Sequence, residues 1–120
     1  MDQNQNKSYS LEDLYKFSDN DPKALQTILE VLIINTTSDI EKFKEYTHNF
    51  KWKEAGELAH KMTSTFSHLH ITTLCEQLKL LQFKIQSGST KEDIKILAEA
   101  IIKDGNKILK EIEAEVTSII

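Results

Sequence analysis

The chain has 120 residues, of which 15 are Lys or Arg and 19 are Asp or Glu, so its formal net charge is −4 with neutral histidines. This length suits a single domain, residues 1–120, built around one hydrophobic core. A negative chain without a run of Lys or Arg lacks the positive surface that sequence-independent nucleic-acid binding requires, so no nucleic-acid partner is expected.

Few turn-forming residues and no sustained alternation of apolar and polar residues indicate an all-α protein. The chain contains three Gly and one Pro, and no run of Val, Thr and aromatic residues has the period of a strand. Cys75 is the single cysteine and stands beside Leu74 at helical spacing from Leu78. We expect it to be a small buried hydrophobe in a reducing compartment, without a disulfide.

The N-terminal residues have no targeting pattern. Residues 1–8 are polar and lack the apolar core of a signal peptide, and no later segment approaches the ~18 apolar residues of a membrane span. We therefore expect a cytoplasmic protein without direct membrane insertion, in which residues 1–9 are disordered.

Start signals mark the first two helices. Ser10 is followed three residues later by Asp13, a variant of the capping box, and opens a short helix that ends near Phe17 and covers one end of the core. Asp21 followed by Pro22 then supplies an N-cap and a first-turn proline. The helix they start is predicted over residues 22–48, with an apolar face formed by Leu25, Ile28, Leu29, Leu32, Thr36, Ile40, Phe43 and Thr47.

The third predicted helix, which runs to about Ser67, carries a histidine on its polar side. Its apolar stripe consists of Trp52, Ala55, Ala59, Met62, Phe66 and Leu69. At ~100° per residue, His60 lies about 130° from the centre of this stripe, so its imidazole is expected to face solvent. Gly56 and Ser64, four residues before and after it, are too small to shield the ring.

Two further helices complete the pattern. Thr72 is a possible N-cap for a helix whose stripe is Ile71, Leu74, Leu78, Leu81 and Ile85, and Gly88 is expected to end it in the left-handed conformation. The last helix carries its apolar residues from Ile94 to Ile119 and is expected to kink at Gly105. Four amphipathic helices with short connections predict an antiparallel up-down-up-down four-helix bundle over about 22–119, with the short N-terminal helix across one end.

A metal centre is the first chemistry to weigh in such a bundle. The chain contains two Glu-x-x-His pairs, Glu45/His48 and Glu57/His60, which is the spacing of di-iron bundles. At ~1.5 Å rise per residue the two imidazoles differ in height by about 12–15 Å, too far for one dinuclear site, and His60 points away from the core. His68 and His70 with His48 have an unspecific spacing typical of solvated histidines, so no metal site is expected.

The wider segment around the exposed histidine has a family pattern. Ala59-His60-Lys61-Met62 follows Trp52-Lys53-Glu54-Ala55 and precedes Phe66 and Leu74-Cys75-Glu76-Gln77-Leu78. In this frame, and in the length and order of its helices from about residue 22 to 119, the chain resembles the histidine-containing phosphotransfer (HPt) domain of bacterial multistep phosphorelays. This resemblance implies a phosphoryl carrier that has no catalytic activity of its own.

The resemblance implies a role for each of six residues. His60 would accept a phosphoryl group from an aspartyl phosphate of a response-regulator receiver domain and pass it to another receiver, with a hybrid sensor histidine kinase as a further partner. The chain would need no cofactor of its own, because Mg²⁺ is bound by the receiver. Lys53 and Lys61 would screen the phosphoryl charge, Gln82 would hold the imidazole Nδ1, and the small residues Gly56 and Ser64 would admit the receiver. A monomer is expected.

The chain also departs from the family pattern. The family usually has Lys three residues after the histidine and Gly four and ten residues after it, whereas this chain has Thr63, Ser64 and His70. Thr63 removes a charge that would face the phosphoryl group, and His70 suggests a different turn after the helix. A helical adaptor that binds a signalling partner through the same face without phosphorylation is the alternative function.

Overall fold

The computed structural model describes residues 9–119, and the side chains of residues 9–117. It contains five helices: α1 (Glu12–Phe17), α2 (Pro22–His48), α3 (Trp52–His68), α4 (Thr72–Gln86) and α5 (Lys91–Ile119). No strand occurs over this part of the chain, so the all-α prediction is confirmed. None of its helices is both long and apolar enough to cross a bilayer.

The four long helices surround one core. α2 packs against α3 and α5, α4 packs against the same two helices, and α1 rests on α2. Apolar side chains from all four long helices are almost completely buried between them, and the largest are Phe43, Phe66, Leu25, Leu29, Met62, Leu74, Leu78, Leu81, Ile101 and Ile112. Burial of each such side chain contributes about 1.5–3 kcal/mol, which makes this core the main stabilising term.

The apolar stripe predicted for α3 faces the core. Ala55, Ala59, Met62 and Phe66 are all buried, whereas His60 on the opposite side of the helix is exposed. Trp52, at the start of the stripe, is half-buried. The helical period therefore places the histidine on the surface, as predicted.

Helix α5 runs without interruption through the position where a kink was expected. Residues 91–119 form one helix, and Gly105 is buried within it. A Cβ atom at Gly105 would lie 3.1 Å from Cδ1 of Ile40 on α2, which is closer than ordinary van der Waals contact. The glycine therefore permits close packing of α5 on α2 and does not break the helix.

The predicted caps are confirmed at some helix ends and wrong at others. The Asp21 carboxylate accepts a hydrogen bond from the Lys23 backbone N–H at 3.1 Å, and Gly88 adopts a φ of 75°. Thr72 does not cap α4, because it is the first residue of that helix and Ile71 holds the N-cap position. Ser10 Oγ accepts from the Glu12 N–H at 3.2 Å, although Leu11 is the N-cap residue.

The segment before α1 is tied to the core. Tyr9 is 7% exposed and its hydroxyl donates to Glu115 Oε1 on α5 at 2.5 Å, so the predicted disorder is wrong for this residue. The backbone N–H of Ser10 donates to the Leu69 carbonyl at 2.7 Å, and Leu14 of α1 is buried. The disorder predicted for residues 1–8 lies outside the described residues.

Candidate functional site

His60 lies in a surface groove between α3 and α4. The groove has a volume of about 540 Å³ and is lined by Trp52, Lys53, Gly56, Glu57 and His60 of α3 and by Gln82, Ile85 and Gln86 of α4. The imidazole makes no hydrogen bond to another residue in the part of the chain that the structure describes. Its ring nitrogens are therefore available to a molecule that enters the groove.

Three of the five supporting residues predicted from the sequence share this groove. Lys53, Gly56 and Gln82 line it together with His60. Lys53 brings a positive charge to the groove, and Gln82 brings an amide from the neighbouring helix. The juxtaposition combines a nucleophilic nitrogen, a cation and a hydrogen-bonding group at one exposed place.

The other two supporting residues lie elsewhere on α3. Lys61 is turned toward α2, where its Nζ lies 3.2 Å from Oδ1 of the buried Asp39. Ser64 is exposed one turn after His60 and does not line the groove. Of the two lysines predicted to screen a phosphoryl group, only Lys53 stands in the groove.

The amide of Gln82 is directed at its own helix. Its Nε2 donates to the Leu78 backbone carbonyl at 3.2 Å. This contact orients the amide, and it leaves Oε1 as an acceptor for a donor that approaches from the groove. Gln82 and His60 share the groove without forming a hydrogen bond to each other among the described contacts.

Thr63 makes contacts within α3 and with α4. Thr63 Oγ1 donates to the Ala59 carbonyl at 2.8 Å, so this hydroxyl is bound within α3. The Thr63 carbonyl in turn accepts a contact from Cys75 Sγ of α4 at 3.6 Å. Cys75 is half-buried and not fully buried as predicted, and this partial burial raises the pKa of its thiol against the opposing effect of Lys79.

His70 lies in the turn between α3 and α4. It adopts a φ of 56°, the left-handed conformation that a glycine would favour. Its Nε2 lies 3.2 Å from Oδ2 of Asp13, which links the α3–α4 turn to α1. The Asp13 carboxylate therefore meets a histidine and does not complete a capping box.

The remaining histidines lie apart from the groove. His68 meets the ring of Phe17 edge-on, with centroids 6.1 Å apart, and His48 lines a different groove between α2 and α5. Within the part of the chain that the structure describes, no three His, Cys, Asp or Glu side chains are grouped as metal ligands.

Some groove residues were missed by the site prediction. Glu57, Ile85 and Gln86 line the groove but were not assigned to it from the sequence. Spacing carries a signal for two of them, since Glu57 precedes His60 by three residues and Gln86 follows Gln82 by four, which places each pair on one helix face. Glu57 matters most, because its charge has the same sign as a phosphoryl group.

Comparison of this chain with protein-family models, with curated proteins and with solved structures gives no significant match.

Proposed function

We propose that this chain is a cytoplasmic phosphorelay intermediate of the HPt type. His60 accepts a phosphoryl group from the aspartyl phosphate of a receiver domain and transfers it to a second receiver. The observation that carries the proposal is the exposed His60 imidazole in the α3–α4 groove, with Lys53 and Gln82 beside it. A groove of about 540 Å³ is open enough for another protein to reach the ring.

The proposal includes an antiparallel up-down-up-down order of α2 to α5. The connections after α2, α3 and α4 span only residues 49–51, 69–71 and 87–90. Connections of this length return each helix along its predecessor, and the observed packing of α2 on α3 and of α3 on α4 supports that order.

In the proposed step, a nitrogen of His60 attacks the phosphorus atom of the aspartyl phosphate. The Nε2 lone pair of neutral His60 attacks phosphorus, the P–O bond to the receiver carboxylate breaks, and the carboxylate leaves with the electron pair. The Nδ1 atom keeps its proton, and in the proposed state a rotated Gln82 side chain accepts a hydrogen bond from it through Oε1. Imidazole suits this role because it titrates near neutral pH.

Local charge tunes the stability of the phosphorylated state. Lys53 attracts the phosphoryl oxygens, whereas Glu57 repels them, and Lys61 is held by Asp39 on the other side of α3. Because these opposing charges flank the same ring, we expect a phosphohistidine that forms readily and also transfers onward readily.

The test is a phosphotransfer assay with a panel of purified receiver domains that have been phosphorylated with acetyl phosphate and Mg²⁺. The wild-type chain should gain an acid-labile, base-stable label, and His60→Gln should lose it, because no other histidine among the described residues lines this groove. His48→Gln is the matched control, since this exposed histidine lies in a different groove, and it should label like the wild type. Label that survives His60→Gln would refute the site.

An adaptor that binds without phosphorylation is the second candidate. It is favoured by the apolar surface near the groove, where Ile85 lines the wall and Phe83 on the same helix is 65% exposed. The same receiver panel separates the two functions. An adaptor binds its partner equally well after His60→Gln and takes up no label.

A further inference from the structure

A second groove lies on a different face, between α2 and α3. Its volume is about 440 Å³, and it shares no lining residue with the His60 groove. One end is apolar and is formed by Ile28, Val31 and Leu32 of α2. The other end is polar and contains Thr36, Asp39 and Lys61.

The polar end contains acceptors with unmet hydrogen bonds. Asp39 is only 5% exposed, and its one partner within the described residues is Lys61 Nζ, 3.2 Å from Oδ1. Thr36 is 2% exposed, and its hydroxyl is buried without a hydrogen-bond partner. The two residues are three apart on α2 and therefore share one face of the helix. The Thr36 hydroxyl has no accessible surface for a ligand, whereas Asp39 Oδ2 has no protein partner among the described residues and can accept a donor from the groove.

The whole groove has the volume of a small-molecule site, and its apolar end is exposed. Val31 is 52% exposed although it stands in an almost wholly apolar stretch of α2. A volume of about 440 Å³ lies within the ~300–1,000 Å³ typical of small-molecule sites, which are mostly apolar with a few polar groups that fix orientation.

We propose that this groove binds a small zwitterion with an apolar side chain, namely an apolar α-amino acid. Its ammonium group donates to the free Oδ2 of Asp39, and its carboxylate accepts from Lys61 Nζ. The side chain lies on Ile28 and Val31. A zwitterion matches the groove because Asp39 and Lys61 already balance each other, so a ligand with a single charge would leave an excess charge at a buried carboxylate.

The Lys61 ammonium can bind a ligand carboxylate and keep its ion pair with Asp39. The Lys61 side chain is 64% exposed, and a lysine ammonium has three donors, of which Asp39 Oδ1 uses one. The proposed site does not depend on phosphorylation of His60, which lines the other groove. Failure of one proposal therefore leaves the other standing.

The test is a titration of the ¹⁵N-labelled full chain with L-phenylalanine, followed by two-dimensional NMR. Saturable shifts are expected at the backbone amides of residues 28–39 and 61–65. Two analogues act as matched probes: 2-phenylethylamine lacks the carboxylate, and 3-phenylpropanoate lacks the ammonium group. Each should bind about tenfold or more weakly, because it loses one charge-assisted contact.

Variants identify the residues that bind. Asp39→Asn and Lys61→Met should each weaken L-phenylalanine binding about tenfold, whereas Lys61→Arg should retain it because the charge is kept. Lys53→Met, a lysine variant in the His60 groove, should bind as tightly as the wild type. Circular dichroism checks folding, and if Asp39→Asn unfolds, the pair Lys61→Met and Lys61→Arg decides the question. No saturable shift with L-phenylalanine, or equal affinity for the three probes, overturns the proposal.

Discussion

At the scale of single residues, Tyr9 joins the start of the described chain to its last helix. Its hydroxyl donates to the Glu115 carboxylate at 2.5 Å, and its ring is 7% exposed. Burial raises the pKa of the Tyr9 phenol well above its ordinary value, and the hydrogen bond and charge of Glu115 act in the same direction. The neutral phenol is therefore the form that the folded state holds.

This pKa shift predicts alkaline instability. The unfolded phenol loses its proton near pH ~10 while the folded one keeps it, so the stabilisation is complete below about pH 10 and is lost as the pH rises above it. Urea denaturation at about pH 8 and about pH 10.5 measures the loss. Tyr9→Phe should be about 1 kcal/mol less stable at the lower pH and should lose less between the two values.

Tyr15→Phe is the control for that measurement, because Tyr15 is 40% exposed on α1. It should follow the wild type at both pH values. Equal losses for wild type and Tyr9→Phe would contradict the assigned role of Tyr9.

The positions of Lys53 and Lys61 could not be predicted from their spacing to His60 alone. Both flank His60 on α3 and both were predicted to serve the same charge, yet only Lys53 lines the His60 groove. Lys61 forms an ion pair with Asp39, which lies 22 residues earlier in the sequence. No local pattern around His60 contains that acid, so its effect was not predictable.

At the scale of elements, the helix bounds follow from periodicity and from a few start and stop residues. α2 begins at Pro22 after the Asp21 cap, and α4 ends before the left-handed Gly88, as predicted. The N-cap expected at Thr72 is wrong because the backbone becomes helical one residue earlier than the capping pattern requires. A cap depends on the angles of one residue, whereas a helix depends on many, so caps are predicted less well.

The two glycines inside helices give a stability prediction. A Cβ at Gly56 would meet Ile85 Cδ1 at 3.6 Å, which is ordinary contact, while one at Gly105 would meet Ile40 Cδ1 at 3.1 Å. Gly56→Ala should stabilise the chain by about 0.5–1 kcal/mol and raise Tm by about 2–5 °C, since Ala is the better helix former.

Gly105→Ala is the matched variant, and it should gain less or lose stability because the buried Ile40 side chain must move. Thermal unfolding of both proteins measures the difference. A greater gain at Gly105 than at Gly56 would show that the packing of α5 on α2 is looser than described.

At the scale of the whole molecule, α3 contributes to two grooves that open on different faces. His60 lines the groove with α4, and Lys61, the next residue, lines the groove with α2. Successive residues of a helix are ~100° apart, which is enough to assign them to separate surfaces. The two proposed ligands would therefore occupy separate surfaces of the molecule.

The oligomeric state is a prediction at this scale. The core is enclosed by helices of a single chain, and no second copy is needed to bury it. Sedimentation equilibrium should therefore give a mass near the chain's 13.8 kDa at micromolar concentration. A mass near twice that value would contradict the expected monomer.

The pattern of apolar residues correctly predicted the all-α class, the number and extent of the long helices, and the exposure of His60. Apolar residues recur every three or four positions along each helix. This repeated spacing shows where each helix runs and which of its faces is exposed. Only the packing of the helices shows that Asp39 holds Lys61, that Asp13 meets His70 and that Glu57 and Gln86 line the His60 groove. Each of these contacts joins different elements, and their distances depend on how the helices pack against one another, which local spacing does not specify.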